Sequence, residues 1–384
     1  MNLQLTQRNK EIASFVFLFI FFFSLFASFR SKDLTAVDGG YRSIDVFNWN
    51  IPYLDANNHM LYYIHLYYFN HLLGLLGFHA HNGVEYFYNS SLLNVFAASI
   101  SVAVYFLILL SLTEDLWMSM LGAFLLGFSR AFIINAINPN QAMTGFMLSL
   151  LSIWFMIGGV IKDKFLFILL SGFCLSYALA TYQSMFFIFP AMVLFYSSKF
   201  YTTRRLKDGF NIVLFLISIL LGIVIIYGVC YKLFHHYHTF GEYINRFLTI
   251  DGGFNGTWGG FRYENFNLTY WGFVHSLFVS FKGLFNCGSI IPVVILALYA
   301  YLGLQKDKNA FFIASVMGLF FLFSLLLPFL WIPDYPKLWI QPVAIFFAFT
   351  IFVSTMNLRL SLFRGGDPQI RANWVFIFID LLEL

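Results

Sequence analysis

Long apolar runs separated by short polar breaks dominate the chain, without the strict alternation that marks half-buried strands. A helix needs roughly 20 apolar residues to cross a bilayer. Ten segments approach that length: 12–29, 89–111, 116–134, 142–161, 165–183, 184–198, 210–232, 286–304, 310–331 and 338–356. The expected fold class is all-α, a polytopic transmembrane helical bundle of about ten spans filling residues 1–357. A membrane β-barrel would instead show short alternating segments. The pair 165–183 and 184–198 is joined only by Tyr182-Gln183-Ser184, and Pro190 falls inside its second member. A proline there removes a backbone hydrogen bond and kinks the helix.

Segment 61–78 is apolar but interrupted by His65, Asn70 and His71. Charge decides how it lies. If it rests on the membrane surface, Arg8 and Lys10, Lys162 and Lys164, Lys199, Arg204, Arg205 and Lys207, Lys306 and Lys308, and Arg359, Arg364 and Arg371 all fall on one side. Those are 13 of the 22 basic residues, in short segments, as the positive-inside rule requires of a cytoplasmic face. Counting 61–78 as a span separates the N-terminus from every later basic loop. It is therefore read as an interfacial helix on the outer leaflet. Both termini are then cytoplasmic, and the large loops 30–88 and 233–285 are extracytoplasmic. The tail 358–384 is cytoplasmic, with an apolar end (Trp374–Leu384) too short to span that is either interfacial or the start of another helix.

Composition agrees: of 384 residues, 60% are hydrophobic and 10% charged, far from a soluble domain's balance. The net charge of +4 is spread between loops, so no nucleic-acid partner is expected. Cys174, Cys230 and Cys287 lie at unrelated spacings and read as buried free thiols. Arg8 and Lys10 precede an apolar run as in a signal peptide. However, Ile12–Phe29 is long for one and lacks a small-x-small cleavage site, so it is read as a retained span.

The polar residues that could carry chemistry concentrate in the outer loops. Asp38–Tyr63, DGGYRSIDVFNWNIPYLDANNHMLYY, gathers three acids, Arg42 and His59. Ionisable groups near membrane depth are costly and tend to be functional. Asp38, followed by Gly39-Gly40, is the candidate general base for an acceptor hydroxyl; a solvated loop carboxylate is the plain alternative. Asp55 suits an N-cap of the interfacial helix, and His59 at its start suits contact with a phosphate or hydroxyl. Glu85 is either a second acid of the same cavity or a solvated one. Arg130, inside an apolar helix, requires an acid (Asp38 or Glu85), a phosphate, or escape to the headgroups. His235, His236 and His238 have no ligand cluster to complete a metal site, and none is expected. The stretch DGGFNGTWGGFRYENFN, with Arg262, has the composition of a lid over a sugar. Lys337, between Pro336 and the last span, either meets a lipid phosphate or snorkels. No Gly-rich phosphate loop occurs, and no cofactor is expected.

This arrangement resembles the GT-C superfamily of membrane glycosyltransferases, in particular protein mannosyltransferases and bacterial enzymes that use polyprenyl-phosphate sugars. The likeness rests on one span followed by a large loop with an early acid, and on Asn57-Asn58-His59-Met60-Leu61-Tyr62 entering a helix. GFSRAFIINAINPNQ at 127–141, Leu170-Ser171-Gly172 through Pro190, and Asp334-Tyr335-Pro336-Lys337 add to it. The chain departs from relatives in having Asn-His-Met where His-Pro is frequent, no arginine near Tyr88-Asn89, and no soluble outer domain. The resemblance implies inverting transfer of a hexose from a polyprenyl-phosphate donor, with Asp38 as base. The acceptor would be a glycan, lipid or protein at the outer face of a bacterial plasma membrane, and a cell-envelope glycan is the expectation by class. Arg42, His59, Glu85, Arg130, Arg262 and Lys337 are donor-phosphate or substrate-binding candidates. An O-antigen-type polysaccharide polymerase and a lipid-linked glycan flippase are the rival functions.

Overall fold

The computed structural model describes residues 2–30, 46–48, 60–233, 239, 241, 264–277, 301, 308–330 and 336–363. Among them every regular element is helical. The helices are α1 (Asn2–Ser28), α2 (Met60–Leu75), α3 (Gly83–Thr113), α4 (Leu116–Phe128), α5 (Arg130–Ile137), α6 (Gln141–Lys162), α7 (Phe165–Thr181), α8 (Phe189–Thr203), α9 (Leu206–Leu233), α10 (Glu264–Leu277), α11 (Lys308–Leu330) and α12 (Ile340–Phe363). By length and composition, α1, α3, α6 and α9 can cross a membrane, and the bent pair α4–α5 makes a fifth candidate. With the shorter apolar helices packed among them, the chain is a multi-pass integral membrane protein. The expected span 286–304 lies outside the described residues.

Helix α3 is the axis of the bundle. Its most apolar window is 67% buried, against 17% for α1 and 28% for α9, because α1, α2, α4, α5, α6 and α12 all pack on it. Ser90, Ser91, Ser99 and Ser101 are fully buried along it. Small residues let neighbouring backbones approach closely, which is how helices associate where lipid removes the hydrophobic drive. Ser99 and Ser101 return their hydroxyls to the carbonyls of Val95 and Ala97, so the buried polar atoms are satisfied inside the helix. The same logic joins α7 to α9. Gly172 lies against Ser218, and Ser176 Oγ donates to the Ile219 carbonyl at 2.8 Å.

The ends of the bundle differ in charge. Gln7, Lys10 and Glu11 of α1 share a depression with Leu110, Glu114, Leu116 and Trp117, and Arg8 shares another with Lys162. At this basic end Asp163 pairs with Lys207 (2.6 Å), and Lys199 lies 3.5 Å from buried Asp208. The Lys207 hydrogen bond, with the neighbouring cations, lowers the Asp163 pKa. The opposite end receives the close of α1, the starts of α3, α6 and α12, and helix α5.

Three sequence expectations change in detail. Segment 116–134 is not one straight helix: Ser129 adopts extended angles (φ −66°, ψ 143°), and α5 leaves α4 at 62°. Pro190 does not kink a helix interior. It sits in the first turn of α8, after the 3-10 turn Gln183–Ile188, where the missing N–H has no intrahelical partner to lose. His65, read as interfacial, is turned inward on α2, its Nε2 2.7 Å from the Tyr177 hydroxyl of α7. Burial lowers its pKa to about 4, which keeps the imidazole neutral at physiological pH. The face of α2 away from buried Leu66 and Asn70 stays exposed and mostly apolar at Tyr68, Leu72 and Leu75.

Candidate functional site

The far end of the bundle is organised by a buried amide. Asn94, fully buried on α3, points its Nδ2 at the carbonyl oxygens of Asn135 (3.2 Å), Asn138 (2.8 Å) and Asn140 (2.8 Å), while its Oδ1 accepts from the Tyr62 hydroxyl at 3.3 Å. Irregular backbone at membrane depth is tolerated only where protein satisfies its polar groups. Asn94 does this for the turn between α5 and α6 together with Asn140, whose Nδ2 also donates to the carbonyls of Asn135 (3.1 Å) and Asn138 (3.2 Å). Asn140 then caps α6, accepting from the Met143 N–H at 3.2 Å. Thus α5 is held across the end of the bundle, with Arg130 at its first position.

The Arg130 side chain is half-buried and donates through Nη1 to the His275 carbonyl in the last turn of α10, at 3.4 Å. A cation at a helix C-terminus is favourable. Beneath it, Ala131 of α5, Phe273 and Leu277 of α10, Trp339 of the 3-10 turn Pro336–Trp339, and Val343 of α12 form one apolar cluster. Fully buried Trp339 is its largest member, and its ring lies 5.8 Å from that of Phe273. The cluster therefore brings Arg130 and the turn that carries Lys337 to one place. The Lys337 side chain lies outside the described residues.

Glu85 has a local task. It falls in the first turn of α3, where Asn82 Oδ1 accepts from the Glu85 N–H at 2.9 Å. The Glu85 carboxylate accepts in return from the His81 N–H (2.7 Å) and Asn82 Nδ2 (3.1 Å). This reciprocal cap satisfies backbone donors that a helix start leaves open.

Sequence reasoning overlooked Arg30, which follows α1 directly. Its guanidinium lies 3.9 Å from the centre of the Tyr88 ring and donates to the Tyr88 carbonyl (3.2 Å) and hydroxyl (2.9 Å) and to Ala27 O (3.2 Å). Burial lowers its pKa and the nearby Tyr88 raises it. Further along, Val46 is buried with Tyr62 and Tyr86, and the Phe47 ring lies 5.7 Å from that of Tyr86. The segment between, 31–45, is flanked by described residues, Arg30 and Val46–Phe47, that contact the opening turns of α3. It carries Asp38 and Arg42, which lie outside the described residues, as do His59 and Arg262. Among the described residues no three His, Cys, Asp or Glu side chains form a metal-binding group.

Below the Lys337 turn, an apolar cavity of about 100 Å³ opens between α3, α6, α11 and α12. Tyr105, Phe146, Ile157, Met317 and Ala344 line it, and Gln341 in the first turn of α12 is its one amide. Tyr105 directs its hydroxyl to the Ala344 carbonyl at 2.7 Å, which leaves the walls apolar.

No protein-family model matches the chain, and no curated protein matches it in sequence. Among solved structures it is similar to ArnT from Cupriavidus metallidurans bound to undecaprenyl phosphate, with a TM-score of 0.54 at 13% identity. The match covers 96% of this chain and 62% of that one, so the chain spans less than two thirds of that protein's length. At this identity the likeness is one of fold.

Proposed function

We propose, from that shared fold, that the chain is an integral-membrane glycosyltransferase of the GT-C superfamily that moves a hexose from a polyprenyl-phosphate donor to an acceptor hydroxyl. The observation that carries the reading is the fold likeness over 96% of the chain to a protein solved with undecaprenyl phosphate. Three further features support it. Arg130 and the Lys337 turn converge on the end opposite the basic loops. The described residues on either side of the Asp38 segment, Arg30 and Phe47, contact the opening turns of α3 at that same end. The apolar cavity below the Lys337 turn suits an isoprenyl segment, since apolar cavities bind apolar ligands.

In this reading the basic end is cytoplasmic and the site extracytoplasmic. The acceptor is a hydroxyl of a cell-envelope glycan. Asp38 takes the hydroxyl proton as the oxygen attacks the anomeric carbon. The bond from that carbon to the phosphate oxygen breaks, and its electron pair leaves on the polyprenyl phosphate. A single displacement inverts the anomeric centre. Negative charge grows on the leaving phosphate, so cations placed there act more strongly on the transition state than on the bound donor. Arg130 and Lys337 supply that charge.

Removing one charged donor from the phosphate costs about 1.5–3 kcal/mol. Arg130→Gln and Lys337→Gln are each expected to lower kcat/KM for the lipid donor by roughly 10- to 100-fold, measured as initial transfer rates over donor concentration. Unchanged values for both would remove these residues from the phosphate site. The polymerase reading is favoured instead if Arg130→Ala abolishes glycan formation while Asp38→Asn does not.

A further inference from the structure

We propose that Arg30, seated on Tyr88, holds a lipid-borne phosphate, forming an anion site at the seam of α1 and α3 separate from the Arg130–α10 contact. The assignment of that phosphate to the sugar carrier rests on the function proposed above; the anion site itself does not.

The guanidinium is half-buried, yet each of its hydrogen bonds goes to a neutral acceptor: the Ala27 carbonyl, the Tyr88 carbonyl and the Tyr88 hydroxyl. Among the described residues no carboxylate lies within ion-pair distance of it. Glu85, one turn from Tyr88 on α3, is committed to the His81 and Asn82 donors. The Tyr88 ring attracts the cation without neutralising it.

An arginine carries five N–H donors in a planar fork. Nε has one, and it is used; Nη1 and Nη2 have two each, and each uses one. One N–H therefore remains on each Nη nitrogen, and Tyr88 holds the plane of the fork. Paired N–H groups of this kind donate bidentately to a phosphate, as an ammonium cannot. A charge withdrawn from water without a counter-ion is costly, and the cost falls when an anion arrives. The place also fits a lipid ligand. Arg30 stands at the mouth of the first span, and α1 touches α5 through the Phe26 and Phe132 rings, 5.9 Å apart. A phosphate here is at the same end of the bundle as Arg130.

The test uses the purified full chain in nanodiscs of neutral lipid. Thermal unfolding and equilibrium binding are measured with undecaprenyl phosphate, with undecaprenol, and with phosphatidylglycerol. Wild type is expected to gain several degrees in Tm with undecaprenyl phosphate and much less with undecaprenol. Arg30→Gln is expected to keep its ligand-free Tm within a few degrees and to weaken undecaprenyl phosphate binding at least tenfold, with undecaprenol unaffected. Arg30→Lys, which keeps the charge and loses the fork, should fall between. The same Arg30 dependence for phosphatidylglycerol alone would support the anion site but assign it to a bilayer headgroup, and would count against the proposed donor. If Arg30→Gln and Arg30→Lys bind every phosphate lipid as wild type does, the site is refuted. A large loss of ligand-free stability with phosphate binding intact would also refute it, by showing that Arg30 serves an internal partner.

Discussion

Asp38→Asn is expected to lower the turnover of sugar transfer by roughly 10²- to 10⁴-fold, the usual worth of a positioned general base. The amide matches the carboxylate in size but cannot take up the acceptor proton. The residues on either side of the segment that carries Asp38 make contacts the substitution leaves in place, Arg30 on Tyr88 and Phe47 on Tyr86. Donor binding and thermal stability should therefore stay close to wild type while kcat collapses. Loss of kcat with donor affinity intact identifies a chemical role; a parallel loss of both identifies a folding defect. Undiminished transfer by Asp38→Asn would show that another group takes the proton.

Asn94→Leu is expected to destabilise the protein by about 2–4 kcal/mol. Leucine fills similar volume but offers no donor to the carbonyls of Asn135, Asn138 and Asn140, the first two of which also accept from Asn140 Nδ2, and no acceptor to the Tyr62 hydroxyl. Each unsatisfied buried group costs about 1–3 kcal/mol. The total stays at the lower end because membrane-embedded groups find other partners when the native ones are lost. Denaturant titration reads the stability. The change should also release α5 and with it the Arg130 contact to His275, so that kcat/KM for the donor falls beyond what the lower Tm explains. A loss under about 0.5 kcal/mol, within the range of a neutral surface change, would show that the turn between α5 and α6 holds without Asn94.

The helical bundle was legible because a bilayer imposes long apolar runs, and α3, α6 and α9 appear close to where those runs lie. What hydropathy cannot register is backbone direction. The residues around Ser129 are as apolar as a straight helix requires, and only the extended angles of Ser129 break α4 from α5. Pro190 was visible as a helix disturbance, but its place in the first turn of α8 depends on the 3-10 turn before it. Asn94 gave no signal, since a lone amide within an apolar run acquires meaning only from the three carbonyls folded around it. Arg30 reads as an ordinary cation closing a span until Tyr88 is found beneath it. Arg130 was marked by sequence as a charge needing a partner, and its described partner is the carbonyl of His275, which lies far away along the chain.

The most direct test of the central claim is transfer by the purified full chain in nanodiscs, supplied with undecaprenyl phosphate carrying labelled glucose, mannose or galactose, or with the matching nucleotide sugars. A membrane extract provides the acceptor. The expected result is that label leaves one of the undecaprenyl-linked sugars for a glycan product with inversion at the anomeric carbon, and that free undecaprenyl phosphate competes. Transfer from a nucleotide sugar alone, or a protein that neither consumes these donors nor binds undecaprenyl phosphate, would contradict it.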